Sequence, residues 1–247
     1  LPLSWFLSRH QRTSGGPYIH VDLHSGTGQN HHANCKGSPA VFLDAARKHG
    51  VPYHAFFIDK RRESLDALRA RTALQGDLYA DAGAISYICA DNRAFLPTLP
   101  DRISQETRWR RAEDSRGSVL CDPNGISGDR CGFPPLDLFA AVMARLPRWI
   151  VLIHYNYGAS ARTAGYNRSP VARGMMATLP LEAILSAFSY RHWLIADPGA
   201  GHGRAHTVLC GSHVPIPPHP AGLHALDSPE GRRLRERCAG VWRGAAA

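Results

Sequence analysis

The stretch YIHVDLHSGTG, residues 18–28, decides how the rest of the chain reads. Tyr18 to Leu23 mixes aromatic, β-branched and aliphatic residues, the composition of a strand. It runs through Asp22 into a loop carrying Gly26 and Gly28, the pattern D-x-x-x-G-x-G. Glycines at those places let the backbone turn tightly and come close to a ligand. A strand that ends on an acid and opens into such a loop suits one edge of an open α/β sheet. Ligands of these sheets bind beyond the carboxyl ends of the strands.

Working outward, β-type and helical runs alternate. Pro39 to Lys48 reads as a helix, with Ser38 as N-cap and Pro39 in its first turn. Tyr53 to Asp59 is a second strand, and Arg62 to Leu74 a helix with apolar Leu65, Leu68 and Leu74. Ile85–Ala90 and Ser118–Cys121 are the third and fourth strands. Leu136–Leu146 is an apolar helix, and Trp149–Tyr155 a fifth, buried strand. After a helix at Leu181–Phe188 come strands at His192–Ala196 and Thr207–Cys210. The gap between these two suits a hairpin and is too short for a helical crossover. The pattern predicts one α/β domain over residues 1–247: a Rossmann-like, doubly wound, mostly parallel seven-stranded sheet. Its terminal hairpin contributes one antiparallel strand. Residues 101–116, 158–178 and 211–222 read as irregular, and 212–247 as a C-terminal extension.

Each strand is followed by polar residues that suit a ligand edge. Asp59 ends the second strand, where a carboxylate can take both hydroxyls of a ribose; it serves equally as a helix cap. Asp91-Asn92 follows the third strand and can read the edge of an adenine or cap the next helix. Asp122-Pro123-Asn124-Gly125 follows the fourth, a run of turn formers. Taken singly these signals are modest; their order, in phase with the strands, is what points to a site.

This series resembles a class I S-adenosylmethionine-dependent methyltransferase. Residues 22–28 resemble its first motif, and Asp59 and Asp91 match the acids of the second and third. Residues 122–125 resemble the [DNS]-P-P-[YFW] motif of amino-group methyltransferases such as the DNA adenine type. Gly37-Ser38-Pro39 and Phe57-Ile58-Asp59-Lys60 are similar to the three-Cys-motif partner proteins, a branch of the same family. The resemblance implies S-adenosylmethionine as cofactor. It implies that Asp22, His24, Ser25, Gly26, Gly28, Ser38, Asp59, Lys60, Asp91, Asn92 and Asp122 hold it. It also implies a catalytic group of Asp122, Pro123 and Asn124 acting on an exocyclic amine of nucleic acid, DNA slightly ahead of RNA.

The chain departs from the family pattern in three places. His24 stands where the loop's first glycine is usual. Gly28 and Asp59 are 31 positions apart, against ~20 between loop and acid in dinucleotide folds, so residues 29–38 read as an insertion. The fourth motif lacks its second proline and its aromatic. Tyr155 or Tyr157, beyond the fifth strand, can supply a stacking face instead, or simply pack at a strand end. Substrate contact falls to the loop 158–178, whose Arg162, Arg168 and Arg173 meet no acid. Arg232, Arg233, Arg235 and Arg237 read as the solvated face of a terminal helix. An RNA methyltransferase, a small-molecule methyltransferase and a non-catalytic S-adenosylmethionine-binding module working with a partner protein share these motifs. A nicotinamide enzyme fits less well, because the loop reads G-x-G-x-x-H. A serine hydrolase lacks its G-x-S-x-G elbow.

Composition bounds the class. The 247 residues are 44% hydrophobic and 20% charged, values of a globular chain with a core. No run approaches the ~18 apolar residues of a membrane span. Residues 1–7 are too short for a signal-peptide core, and Leu at position 1 points to residues upstream. The charge is +9, with Lys36, Lys48 and Lys60 the only lysines among 29 basic residues. That excess suits a polyanionic partner such as nucleic acid, or reflects an arginine-rich composition. The six cysteines form no C-x-x-C pair and read as reduced thiols of a cytoplasmic protein. His31, His32 and Cys35 lack matching ligands elsewhere and read as a polar loop, so no metal is expected.

Overall fold

The computed structural model describes residues 2–13, 15–30, 35–74, 83–123, 133–156, 181–196, 206–215 and 222–246. In chain order the helices are α1 (Pro2–Thr13), α2 (Ser38–Lys48), α3 (Arg62–Leu74), α4 (Asn92–Phe95), α5 (Leu99–Glu106), α6 (Leu136–Ala144), α7 (Leu181–Ala187) and α8 (Pro229–Ala246). The strands are β1 (Tyr18–Asp22), β2 (Gln29–Asn30), β3 (Cys35–Lys36), β4 (Tyr53–Asp59), β5 (Gly83–Cys89), β6 (Gly117–Cys121), β7 (Trp149–Asn156), β8 (His192–Ala196), β9 (His206–Ser212) and β10 (Leu223–Ala225). The fold is α/β, as the alternation predicts. Its main sheet has eight strands rather than seven, in the order β10-β8-β9-β7-β6-β1-β4-β5, and β2-β3 forms a separate hairpin. The added strand, β10, is three residues long and too short to show alternation in sequence. Its ladder to β8 makes it a strand. Two strands, β9 and β10, run against their neighbours, not one.

The chain groups into two compact units, residues 1–120 with 141–150, and residues 121–140 with 151–247. In the first, β6, β1, β4 and β5 pair in parallel, with Asp22 opposite Phe57 and Asp59 opposite Cys89. Both faces are covered. Phe42 of α2 stacks on His20 with ring centres 4.1 Å apart, while on the other face Phe56 of β4 meets Phe95 of α4. Strands buried on both faces read as near-continuous apolar runs, and β4 is buried from Tyr53 to Ile58. Trp149 is fully buried, and its indole N–H donates to Ser115 Oγ at 2.8 Å.

The second unit holds antiparallel pairs β7·β9, β9·β8 and β8·β10. Phe139, Phe188, Tyr190 and Trp193 form its aromatic core, with neighbouring ring centres 5.2–6.1 Å apart. Arg235 of α8 holds Glu182 of α7 through two hydrogen bonds of 2.7 and 2.6 Å.

One helix is additional and two expectations change. Helix α1 forms because Phe6, Leu7 and His10 fall on one buried face. Residues 101–116 are not wholly irregular. Leu99 and Ile103 are buried one turn apart in α5, and Arg102 pairs with Glu106 at the same spacing. The mixed charge that reads as loop is the exposed face of a helix. Finally, α2 is capped by Gly37 with no side-chain bond, because the Ser38 hydroxyl is committed elsewhere.

Candidate functional site

That hydroxyl donates to Asp22 Oδ2 at 2.5 Å, while Asp22 Oδ1 accepts from the His24 backbone N–H at 3.0 Å. Asp22 is fully buried at the end of β1. A buried carboxylate needs such donors, and here it ties the loop after β1 to the start of α2. Ser25 secures the other side. Its backbone N–H and its hydroxyl both donate to the Ile58 carbonyl, each at 3.0 Å. The loop is therefore bound to two structural elements before any ligand is considered.

Its glycines divide the work. Gly26 has φ +54°, a left-handed conformation that side chains resist. Around it there is room, since an added Cβ would meet nothing nearer than the His24 carbonyl at 4.0 Å. Gly28, at φ +73°, faces the core, where a Cβ would fall 2.6 Å from Leu68 Cδ1. Gly37 lies against backbone, with a Cβ only 2.7 Å from the Gly28 carbonyl carbon. Of the two glycines in D-x-x-x-G-x-G, only Gly26 leaves space for a ligand to approach. Residues 29–38, read as an insertion, carry the antiparallel pair β2·β3.

Asp59 stands at the end of β4. Its Oδ2 accepts from the Gly26 N–H at 3.1 Å and its Oδ1 from the Arg61 N–H at 2.8 Å. A carboxylate offers about four lone-pair positions, so both oxygens keep capacity for a diol. Lys60 beside it is exposed. Asp91 is exposed and caps α4, accepting from the Arg93 N–H at 2.8 Å. Asn92 is buried, and its Nδ2 lies 3.0 Å from His24 Nε2. The histidine that replaces the first glycine thus bridges the loop after β1 to the loop after β5. Asp22, Asp59 and Asp91 line the carboxyl edge of three strands adjacent in the sheet. An acidic edge with an open glycine in front fits a cationic, ribose-bearing cofactor.

In the second unit, Asp122 directly follows β6. Its Oδ1 is hydrogen-bonded to His154 Nδ1 on β7. Burial by itself lowers the His154 pKa; the hydrogen bond to Asp122 and its negative charge outweigh this and raise it above 6.5. His154 is the polar residue that sequence reasoning missed. It sits inside the apolar run WIVLIHY, and nothing local marks one histidine among 14 as special. Pro123 is buried. Tyr155 is also buried. Its hydroxyl bonds to the Leu181 backbone, and burial pushes its pKa up to about 12. Asn124, Tyr157, Arg162, Arg168 and Arg173 lie outside the described residues.

Among the described residues, no group of three His, Cys, Asp or Glu side chains could hold a metal ion. His31 and His32 lie outside them. Cys121, Cys210 and Cys238 are buried, and Cys89 is exposed. No described helix is long and apolar enough to cross a membrane.

No family model matches the sequence, and no curated protein matches it. Among solved structures, a Legionella pneumophila protein is similar at TM-score 0.48 and 10% identity, covering 97% of this chain and 90% of that one. The METTL16 methyltransferase domain is similar at 0.46 and 13%, covering 85% and 66%. An rRNA methylase from Streptococcus thermophilus is similar at 0.45 and 12%, covering 86% and 95%. Scores and identities this low leave the chemistry of the chain to its own residues.

Proposed function

We propose that the chain is an S-adenosylmethionine-dependent methyltransferase acting on an exocyclic amino group of nucleic acid, DNA slightly ahead of RNA. One observation carries the reading. Acids stand at the carboxyl ends of β1, β4 and β5, and the backbone between the first two is an open glycine tied to the second acid. The family branches, three-Cys-motif partner and DNA adenine type, are part of the proposal. They rest on residues 22–28, 37–39, 57–60 and 122–125.

In this reading Asp59 takes the ribose hydroxyls, and Asp91 with Asn92 faces the adenine. Asp22 acts indirectly, by holding the loop through Ser38 and the His24 N–H. The bound cofactor supplies an electrophilic methyl group on a sulfonium. Asp122 Oδ2 and the Pro123 carbonyl accept hydrogen bonds from the target amine and so favour the positive charge that develops on its nitrogen. Asp122 need not be a strong base, since a methylated ammonium of this kind is acidic. The arginines of 158–178 hold substrate phosphates, and a duplex target requires the base to leave the stack.

Calorimetric titration with S-adenosylmethionine, with NAD in parallel, tests the cofactor. Radiolabelled methyl transfer to DNA, RNA, protein and small-molecule pools then tests the substrate. Micromolar binding of S-adenosylmethionine followed by transfer to nucleic acid is the expected result. NAD binding in its place overturns the proposal. Binding without transfer to any pool returns the chain to the class of non-catalytic modules that act with a partner protein.

A further inference from the structure

His154 is a polar residue in a strand whose neighbouring side chains serve the core. Leu152, Ile153 and Tyr155 are buried around it. The ladder between β7 and β9 fixes its place: His154 stands opposite Val208, with Ile153 opposite Leu209 and Tyr155 opposite Thr207. Alternation along the strand sends its side chain to the face away from those of Ile153 and Tyr155. There its Nδ1 meets Asp122 Oδ1. An ionised carboxylate only accepts, so the imidazole donates and carries a proton on Nδ1. Burial lowers the His154 pKa, while the hydrogen bond and the charge of Asp122 together raise it by more, as an ionised partner does. Asp122 keeps 45% of its side chain exposed and His154 32%. A pair this open adds little to stability, yet it lies within reach of a substrate.

A carboxylate accepts on both oxygens, and an aspartate that turns about its own bonds can present either of them. The contact with His154 removes that freedom, because it engages Oδ1 and not Oδ2. Pro123, next in the chain, has no N–H to compete for the second oxygen. We propose that His154 is a positioning residue for methyl transfer: it fixes the Asp122 carboxylate through Oδ1 and so leaves Oδ2 to the target amine. In this role it acts through Asp122 and touches neither cofactor nor amine. The proposal rests on the methyltransferase reading above and adds the residue that orients its acceptor. The logic is that of a base held in place by a third group. An acceptor misplaced by about 1 Å costs on the order of 100-fold in rate.

The first readout needs no cofactor. Proton–nitrogen NMR of the full wild-type chain, taken above the His154 midpoint, should show the neutral imidazole protonated on Nδ1. A proton on Nε2 alone overturns the proposal. His154→Leu and His154→Asn supply the kinetics. Leucine suits an apolar strand and donates nothing. Asparagine keeps a donor, since its Nδ2, like the imidazole Nδ1, is bonded directly to Cγ. The assay follows radiolabelled methyl from S-adenosylmethionine to unmodified RNA transcribed in vitro and to duplex DNA amplified in vitro. His154→Leu should lower kcat on the order of 10- to 100-fold. Its KM, its Tm and its calorimetric affinity for S-adenosylmethionine should match the wild type, because lost positioning in the transition state moves kcat without KM. His154→Asn should recover most of kcat. An unchanged kcat in His154→Leu, or equal losses in the two variants, overturns the role with the methyltransferase reading intact. A fall in Tm or in S-adenosylmethionine affinity that accompanies the loss of kcat does the same, since it makes His154 structural. Wild type that transfers methyl to neither polymer overturns the nucleic-acid methyltransferase reading, and this role with it.

Discussion

Gly26 and Gly37 give the sharpest separation of ligand site from fold. Beyond its chain neighbours, alanine at Gly26 meets nothing nearer than the His24 carbonyl, 4.0 Å away. Its cost is the left-handed backbone alone, about 1–2 kcal/mol. For a chain of this size that lowers Tm by roughly 2–8 °C. The methyl group projects where a cofactor would come nearest the backbone, so S-adenosylmethionine affinity falls tenfold or more, about 1.4 kcal/mol or above. Alanine at Gly37 meets the Gly28 carbonyl carbon at 2.7 Å and the Gln29 nitrogen at 2.9 Å. Both are backbone atoms that no rotamer change can move, so the loop itself must shift. The cost is about 3 kcal/mol, the upper end for overpacking. Thermal denaturation by circular dichroism and titration calorimetry read both effects. The expected pattern is a fold nearly intact with weak binding for Gly26→Ala, and a marked stability loss for Gly37→Ala. Equal destabilisation by the two variants, or wild-type affinity in Gly26→Ala, would refute the division of roles.

His20 predicts an acid-sensitive fold. Burial pushes its pKa down to about 3, so the unfolded chain takes the proton first as pH falls below 6.5. Stability is full above 6.5 and is lost toward pH 3. About 2 kcal/mol is gone by pH 5. Urea unfolding at pH 8 and pH 5 measures the difference, which His20→Phe should shrink; an unchanged difference assigns the loss to other groups. For His154, whose folded pKa is raised, the sign is opposite: the Asp122 ion pair is present below 6.5 and lost as pH rises through the raised value. Proton–nitrogen NMR of the imidazole should give a midpoint above 6.5 that drops in Asp122→Asn, and a midpoint that stays put denies the contact. Asp122→Ala should abolish methyl transfer with S-adenosylmethionine affinity nearly intact, whereas loss of both makes Asp122 structural. Ser38→Ala, which removes a donor from the buried Asp22 carboxylate, should lower stability by about 1.5–3 kcal/mol in urea titration, and no change would place that carboxylate outside the loop's support.

Much of the fold was legible locally. The spans of β4, α3 and β8 are those expected from sequence, because alternation, helical spacing and flanking turn residues are short-range signals. Among the elements that were missed, β10 is short and α5 is mixed in charge, while α1 lies ahead of the first strand. They owe their form to a buried face or to a ladder supplied by distant residues. The acids after each strand were legible because their place follows from the strand order.

Which atoms those acids use was not legible. Gly26 and Asp59 are 33 residues apart and meet only because β1 and β4 pair in register. His24 reaches Asn92 across 68 residues, and His154 reaches Asp122 across 32. Sequence spacing carries no trace of such contacts. Hydrophobic periodicity decides which face of an element is buried, whereas the sheet decides which side chains from distant segments become neighbours. The sequence by itself therefore determined the alternation of elements and the acidic edge. The tertiary structure decided that Gly26 is the open glycine and that His154 attends Asp122.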